Sequence, residues 1–233
     1  MNLVSIRILF IILLNFLFGS SWILASAIPS NKANEPTFIA GEHFKVLSSK
    51  IRYPAISIAD SILDKSKYKP QVIMFFNYGC FGCRQINQEF NKWKQLNSNK
   101  IDIYRCPVAF NKPWENLAKL YYVQQELFPN DDGEKIFSEI YDSRKQLWLE
   151  QEMVNFYERY NISKDVFFKK YLSFDVDRKV KKAIEIAAQY KVIITPNVII
   201  NGKNNSYMVN FSMVQDPETL FKVINYLVKA NPK

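Results

Sequence analysis

The feature that most constrains this chain is a short apolar run leading straight into a pair of cysteines. Gln71-Val72-Ile73-Met74-Phe75-Phe76 is bounded by Pro70 and Asn77. An apolar run of that length fits a central strand buried on both faces of a sheet. Asn77-Tyr78-Gly79-Cys80-Phe81-Gly82-Cys83 follows, after which Ile86, Phe90, Trp93 and Leu96 recur at helical spacing. The pair therefore falls at a strand-to-helix junction, with Cys80 at the helix N-terminus. Unpaired backbone N–H groups and the helix dipole favour an anion there, and the thiolate is the reactive form of cysteine. Cys83, one turn on, is close enough to close a disulfide and release a bound partner. It lies within the helix and faces inward, so Cys80 is expected to be the more exposed of the two.

The chain holds three cysteines, too few for a disulfide-stapled scaffold, and an odd number leaves one over. The third, Cys106, follows a predicted strand and precedes Pro107, which suits a packed thiol. Cys80 and Cys83 could instead form a static small-loop disulfide or half of a zinc site. Zinc normally takes four ligands. Only Cys106 and the lone His43 remain to complete such a set, and neither has ligand spacing, so no metal is expected. His43 is read as a satisfied residue at the surface or on an edge strand.

The N-terminus reads as a cleavable secretory signal over residues 1–27. Arg7 is its one charge, an apolar run extends from Ile8 towards Leu24, and Ala25-Ser26-Ala27 supplies a small-residue cleavage site. Asn15 and Gly19-Ser20-Ser21 interrupt the run, which argues against a spanning helix of roughly 20 apolar residues. Cleavage would leave about 205 residues, enough for one domain or one domain with an insertion. The formal net charge is +9. Its lysines are scattered, with Lys179, Lys181 and Lys182 the one tight group, so a solvated basic surface is expected rather than a nucleic-acid site.

Residues 28–41 read as a polar, flexible lead-in. His43 to Leu47 is a predicted strand, and Ala55 to Leu63 fits either a short helix or a strand. Ile101 to Arg105 is a predicted strand after the motif helix. From Pro113 to about Tyr171 the pattern is helical throughout, with Leu147, Leu149, Val154 and Phe156 among the repeating apolar positions. Asn130-Asp131-Asp132-Gly133 and Asn161-Ile162-Ser163 mark breaks between helices. A helix over 176–190 precedes two strands, Asn197–Ile200 and Tyr207–Val209, joined through Asn201-Gly202, a strong hairpin signal. Asp216-Pro217 opens a last helix, with Asp as cap and Pro at the first helical position.

Phe75-Phe76-Asn77-Tyr78-Gly79-Cys80-Phe81-Gly82-Cys83, with Ile194-Thr195-Pro196 and Ile200-Asn201-Gly202-Lys203 far downstream, resembles the DsbA-like branch of the thioredoxin superfamily. The resemblance covers nearly the whole chain after the signal. It implies an α/β thioredoxin fold with an inserted helical domain. The fold would be built from 42–112 and 176–233, with 113–175 as the insertion. Taken alone, Pro196 could be an ordinary trans turn proline. The resemblance implies a cis Pro196 lying against the active-site disulfide, with the Thr195 backbone presented to a bound substrate chain. A cis bond comes at modest cost only before proline.

Three departures stand out. Gly82 occupies a position often held by His, which bears on redox potential. Met74 stands where a buried acid is frequent, so proton transfer to and from Cys83 must use water or another group. Cys106 lies outside the usual pair.

The resemblance implies an exported, periplasmic thiol–disulfide oxidoreductase with Cys80 and Cys83 as its catalytic pair, flanked by Phe81 and Gly82, and with Thr195 and Pro196 binding substrate. It would introduce disulfides into unfolded secreted proteins and be reoxidised by a DsbB-like, quinone-linked membrane partner. No organic cofactor is required, because the two sulfurs carry both electrons. Two alternatives stay open: a reductase or isomerase kept reduced by a DsbD-like partner, and a non-catalytic module that binds clients in the cell envelope.

Overall fold

The computed structural model describes residues 37–48, 69–202 and 205–229. The expected signal segment and the stretch at 55–63 lie outside them. Of the expected lead-in only 37–41 is described. There Phe38 is buried, with its ring edge-on to His43 and Tyr226.

Among the described residues the sheet has five strands, β1 (Lys45–Leu47), β2 (Gln71–Phe76), β3 (Asp102–Pro107), β4 (Asn197–Asn201) and β5 (Ser206–Asn210), in the order β1-β5-β4-β2-β3. β2 is parallel to β3 and antiparallel to β4, and the other pairings are antiparallel. Every residue of β2 is buried, as expected for a strand covered on both sides.

Strand alternation divides the core. Val72, Met74 and Phe76 face one side, towards helix α1 (Phe81–Asn97) and the C-terminal helix α8 (Pro217–Lys229). Ile73 and Phe75 face the other, against Ala183, Ile186 and Ala187 of α6 (Phe174–Gln189). A period of two along β2 thus separates the layers.

Between β3 and α6 the chain forms α2 (Lys112–Leu127), α3 (Glu134–Tyr141), α4 (Glu150–Glu158) and α5 (Lys164–Tyr171). Leu117, Leu120, Ile136, Phe137, Phe156 and Tyr157 from these helices join the core that meets β2. The expected breaks near 130–133 and 161–163 are present. The continuous helical reading fails at 142–149, where Leu147 and Leu149 lie outside any helix and Leu149 is the N-cap of α4. Leu147 is nevertheless fully buried, so its apolar spacing reflects burial in a turn. A one-turn helix, α7 (Phe211–Val214), also follows β5 where none was expected.

The predicted hairpin forms, with Gly202 N–H donating to Asn205 O at 2.9 Å. Asp216 caps α8 by accepting from Thr219 N–H at 2.8 Å. No helix among the described residues is long and apolar enough to cross a membrane.

Candidate active site

A fully buried asparagine shapes the turn between β2 and α1. Asn77 Nδ2 donates to Val108 O at 2.7 Å and to Trp114 O at 3.0 Å, and its Oδ1 accepts from Gly79 N–H at 2.9 Å. Gly79 has little room for a side chain, since a Cβ would lie 3.1 Å from Trp114 Nε1 and 3.2 Å from Leu117 Cδ1. The turn closes with Cys80 N–H donating to Asn77 O at 3.1 Å. Cys80 is thereby delivered to the N-cap of α1 in an extended conformation.

From that cap Cys80 Sγ accepts a hydrogen bond from Cys83 N–H at 3.2 Å. The expected order of exposure holds, although both residues are buried, Cys80 at 8% and Cys83 at 3%. The Cys80 thiol is held down at about 7, chiefly by a hydrogen bond from the Cys83 side chain. Burial opposes this, while Thr195 and the backbone N–H groups of Cys83 and Gly82 assist it. Burial pushes the Cys83 thiol well up, and its interaction with Cys80 pushes it further. The two thiols are thus divided into one that ionises near neutrality and one that keeps its proton.

Residues 115 positions downstream complete the site. The antiparallel register sets Phe75 opposite Asn197, which brings the start of β4 beside the end of β2. The Thr195–Pro196 bond is cis, and Cys80 Sγ lies 3.5 Å from Thr195 O. The Thr195 hydroxyl is buried and makes no hydrogen bond of ordinary geometry. Pro196 Cδ stands 3.0 Å from where a Cβ on Gly82 would be.

Phe81 is 58% exposed, edge-on to Tyr141, and Ile193 and Ile194 are exposed just before Thr195. Apolar side chains therefore flank the more accessible sulfur.

Cys106 lies inside β3 on the α6 side of the sheet, fully buried, with its Sγ 3.7 Å from Ala183 O. His43 Nδ1 accepts from Ile39 N–H at 3.2 Å. Neither joins the pair, and among the described residues no group of three or more His, Cys, Asp or Glu side chains is placed to hold a metal. Met74 is buried beneath the motif and, with Cys83, borders a small crevice that also touches Asn87 and Arg105. Asn77, Asn87 and Arg105 escaped the sequence reading. For Asn77 a signal existed, a polar residue closing an apolar strand two positions before a glycine.

Residues 59–225 match a family model described as Thioredoxin. Among curated proteins, the thiol:disulfide interchange protein DsbA of Azotobacter vinelandii is 28% identical over 162 residues, spanning 69% of this chain and 74% of that protein. The Burkholderia cepacia protein of the same name is also 28% identical over 162 residues, spanning 69% and 75%. Among solved structures, Pseudomonas aeruginosa DsbA superposes with a TM-score of 0.70 at 23% identity, over 83% of this chain and 94% of that one. DsbA from Xylella fastidiosa gives 0.68 at 20% identity, over 82% and 96%. At these identities the structural likeness speaks for the fold.

Proposed function

This chain belongs to the thioredoxin family, and from that premise we propose that it is an exported thiol–disulfide oxidoreductase that introduces disulfides into secreted proteins. Its fold is the thioredoxin fold with a helical insertion, which we read as the domain 113–175 set between 42–112 and 176–233. The relatives named DsbA support disulfide interchange as the activity. The observation that carries the reading is geometric: Cys80 sits at the N-cap of α1 with its Sγ accepting from Cys83 N–H at 3.2 Å and lying 3.5 Å from Thr195 O.

In the proposed reaction a thiolate of an unfolded, reduced client attacks Cys80 Sγ of the oxidised pair. The Cys80–Cys83 bond breaks, and its electron pair leaves on Cys83. A second client thiol then displaces Cys80, so the client gains a disulfide and the enzyme leaves as a dithiol. Attack at Cys80 is supported by its greater exposure and its place at the helix N-cap. Thr195 O and the exposed Phe81, Ile193 and Ile194 offer a backbone acceptor and an apolar surface to the client chain. A DsbB-like quinone-linked membrane protein would reoxidise the pair in the periplasm, after cleavage of the signal near Ala27.

A second reading, a reductase or isomerase served by a DsbD-like partner, is favoured by one observation. A Cys80 value of about 7 matches thioredoxin, at about 7, rather than the strong oxidant DsbA, at about 3.5. Equilibration of the pair with glutathione separates the two. A potential near about −120 mV marks the oxidase and one near about −270 mV the reductase. Client binding and function in the cell that survive Cys80→Ala without loss would sink both and leave the non-catalytic client-binding module.

A further inference from the structure

If the pair works as proposed, one proton must reach or leave Cys83 Sγ in every cycle. Cys83 is buried, so that proton needs a route. The crevice beside it has a volume of ≈ 10 Å³, at the lower limit of what one water molecule needs. Met74, Phe76, Ile86 and Phe90 supply its apolar walls, and its polar lining comes from Cys83, Asn87 and Arg105.

Asn87 is 1% exposed and pinned at both ends. Its Nδ2 donates to Glu134 Oε2 at 2.8 Å, and its Oδ1 accepts from Arg105 Nη2 at 2.7 Å. The same Nη2 donates to Asn91 Oδ1 at 2.9 Å, and the guanidinium lies over the rings of Phe76 and Phe90. A primary amide has two donors and two acceptor lone pairs. One of each is used here, so one of each is left for a water in the crevice. Exposure rises from Cys83 and Asn87, both buried, to Arg105 and Glu134, both partly exposed, which gives the row an inner and an outer end.

The other charged or titratable groups around Cys83 are poor proton carriers. Cys80 is the reaction partner. Tyr141 of α3 feels the charge of both thiols, but burial raises its own pKa and keeps the phenol protonated. Arg84 of α1 is a permanent cation paired with Asp142 at 2.5 Å.

We propose that Asn87 is a positioning residue that holds a single water against Cys83 Sγ, and that this water is the proton carrier between the buried sulfur and solvent at the Arg105–Glu134 end. When a client thiolate cleaves the Cys80–Cys83 bond, the Cys83 thiolate takes one proton from that water, which recovers it from the outer end. When Cys83 attacks a mixed disulfide at Cys80, the same proton travels outward, the new sulfur–sulfur bond forms, and the departing thiolate carries the electron pair.

The test is the rate at which Cys83 displaces glutathione from a Cys80–glutathione mixed disulfide, followed against pH in the full-length protein after signal removal. Alkylation of Cys80 by iodoacetamide is measured alongside. Asn87→Leu fills the crevice with an apolar chain, and it should slow displacement about tenfold or more near neutral pH. The lost rate should return as pH rises, and Cys80 alkylation should stay within about twofold of wild type. Asn87→Asp keeps the shape and adds a titrating acceptor, so its displacement profile should gain a new step. Displacement within about twofold of wild type in Asn87→Leu, or an unaltered profile in Asn87→Asp should the leucine variant not fold, overturns the proposal. Failure of the wild-type pair to exchange with glutathione at all would instead sink the oxidoreductase reading itself.

Discussion

Pro196 Cδ stands 3.0 Å from the position a Cβ on Gly82 would occupy, so the second of the two residues between the cysteines and the proline before β4 are fitted to one another. Alanine at 82 sets two effects against each other. Helix propensity favours Ala over Gly by about 1 kcal/mol, while overpacking against a fixed ring costs typically about 1–3 kcal/mol. We expect Gly82→Ala to lower stability by about 1 kcal/mol in urea unfolding. A gain of about 1 kcal/mol would show that the Pro196 ring yields freely.

Ionisation of Cys80 should be visible directly. Thiolate absorbance and the rate of iodoacetamide alkylation in the reduced protein should both rise with a midpoint at about 7. The step should vanish in Cys80→Ser. Because this folded value lies below the unfolded one, the thiolate adds stability to the reduced protein. That contribution is complete above about 9 and is lost as pH falls through about 7. Cys83, shifted upward, acts in the opposite sense only at higher pH. Reduced protein that grew less stable from pH 7 to 9 would contradict this assignment.

Thr195 offers a cleaner dissection of backbone from side chain. Its carbonyl lies 3.5 Å from Cys80 Sγ and survives substitution, whereas its hydroxyl, buried and without a hydrogen bond of ordinary geometry, can be removed. Thr195→Val should leave stability unchanged or raise it by about 1 kcal/mol, since a buried hydroxyl that makes no hydrogen bond of ordinary geometry is replaced by a methyl of similar shape. The Cys80 midpoint should move upward, because the Thr195 side chain helps to lower it. An unmoved midpoint would assign that help elsewhere.

Asn77 tests how the motif is held. Asn77→Ala leaves the carbonyls of Val108 and Trp114 and the N–H of Gly79 without their present partner. Loss of about 3 kcal/mol is expected, at roughly 1–3 kcal/mol for each buried group left unmade. The urea midpoint should fall, and the Cys80 alkylation rate should become less sharply dependent on pH as the turn loosens. A variant as stable as wild type would mean that water replaces all three bonds.

What the sequence displays and what it conceals follow from the range of each interaction. β2, the helix after Cys80, the Asn201-Gly202 hairpin and the Asp216-Pro217 start of α8 are governed by neighbours a few residues apart, and the pattern carries them. Leu147 misled the reading because apolar spacing reports burial, and a buried turn can mimic a helix over one period, while Leu149 is an exposed residue at the cap of α4. The clamp of Asn87 between Arg105 and Glu134 draws on three separate elements, and nothing local marks it. The meeting of Thr195 with Cys80 is equally remote in sequence. It was legible only because the family's motif supplies both halves.

That remoteness also sets a timetable. A chain made from its N-terminus completes Cys80 well before Thr195 exists, 115 positions later. At about 5–20 residues per second, the interval is on the order of ten seconds. Until β4 arrives and aligns against β2, the sulfur pair lacks the Thr195-Pro196 segment that lies against it. The cysteine half of the candidate site is therefore made before the segment that covers it. Whatever keeps those thiols from premature reaction during that window must come from the chain's surroundings rather than from its fold.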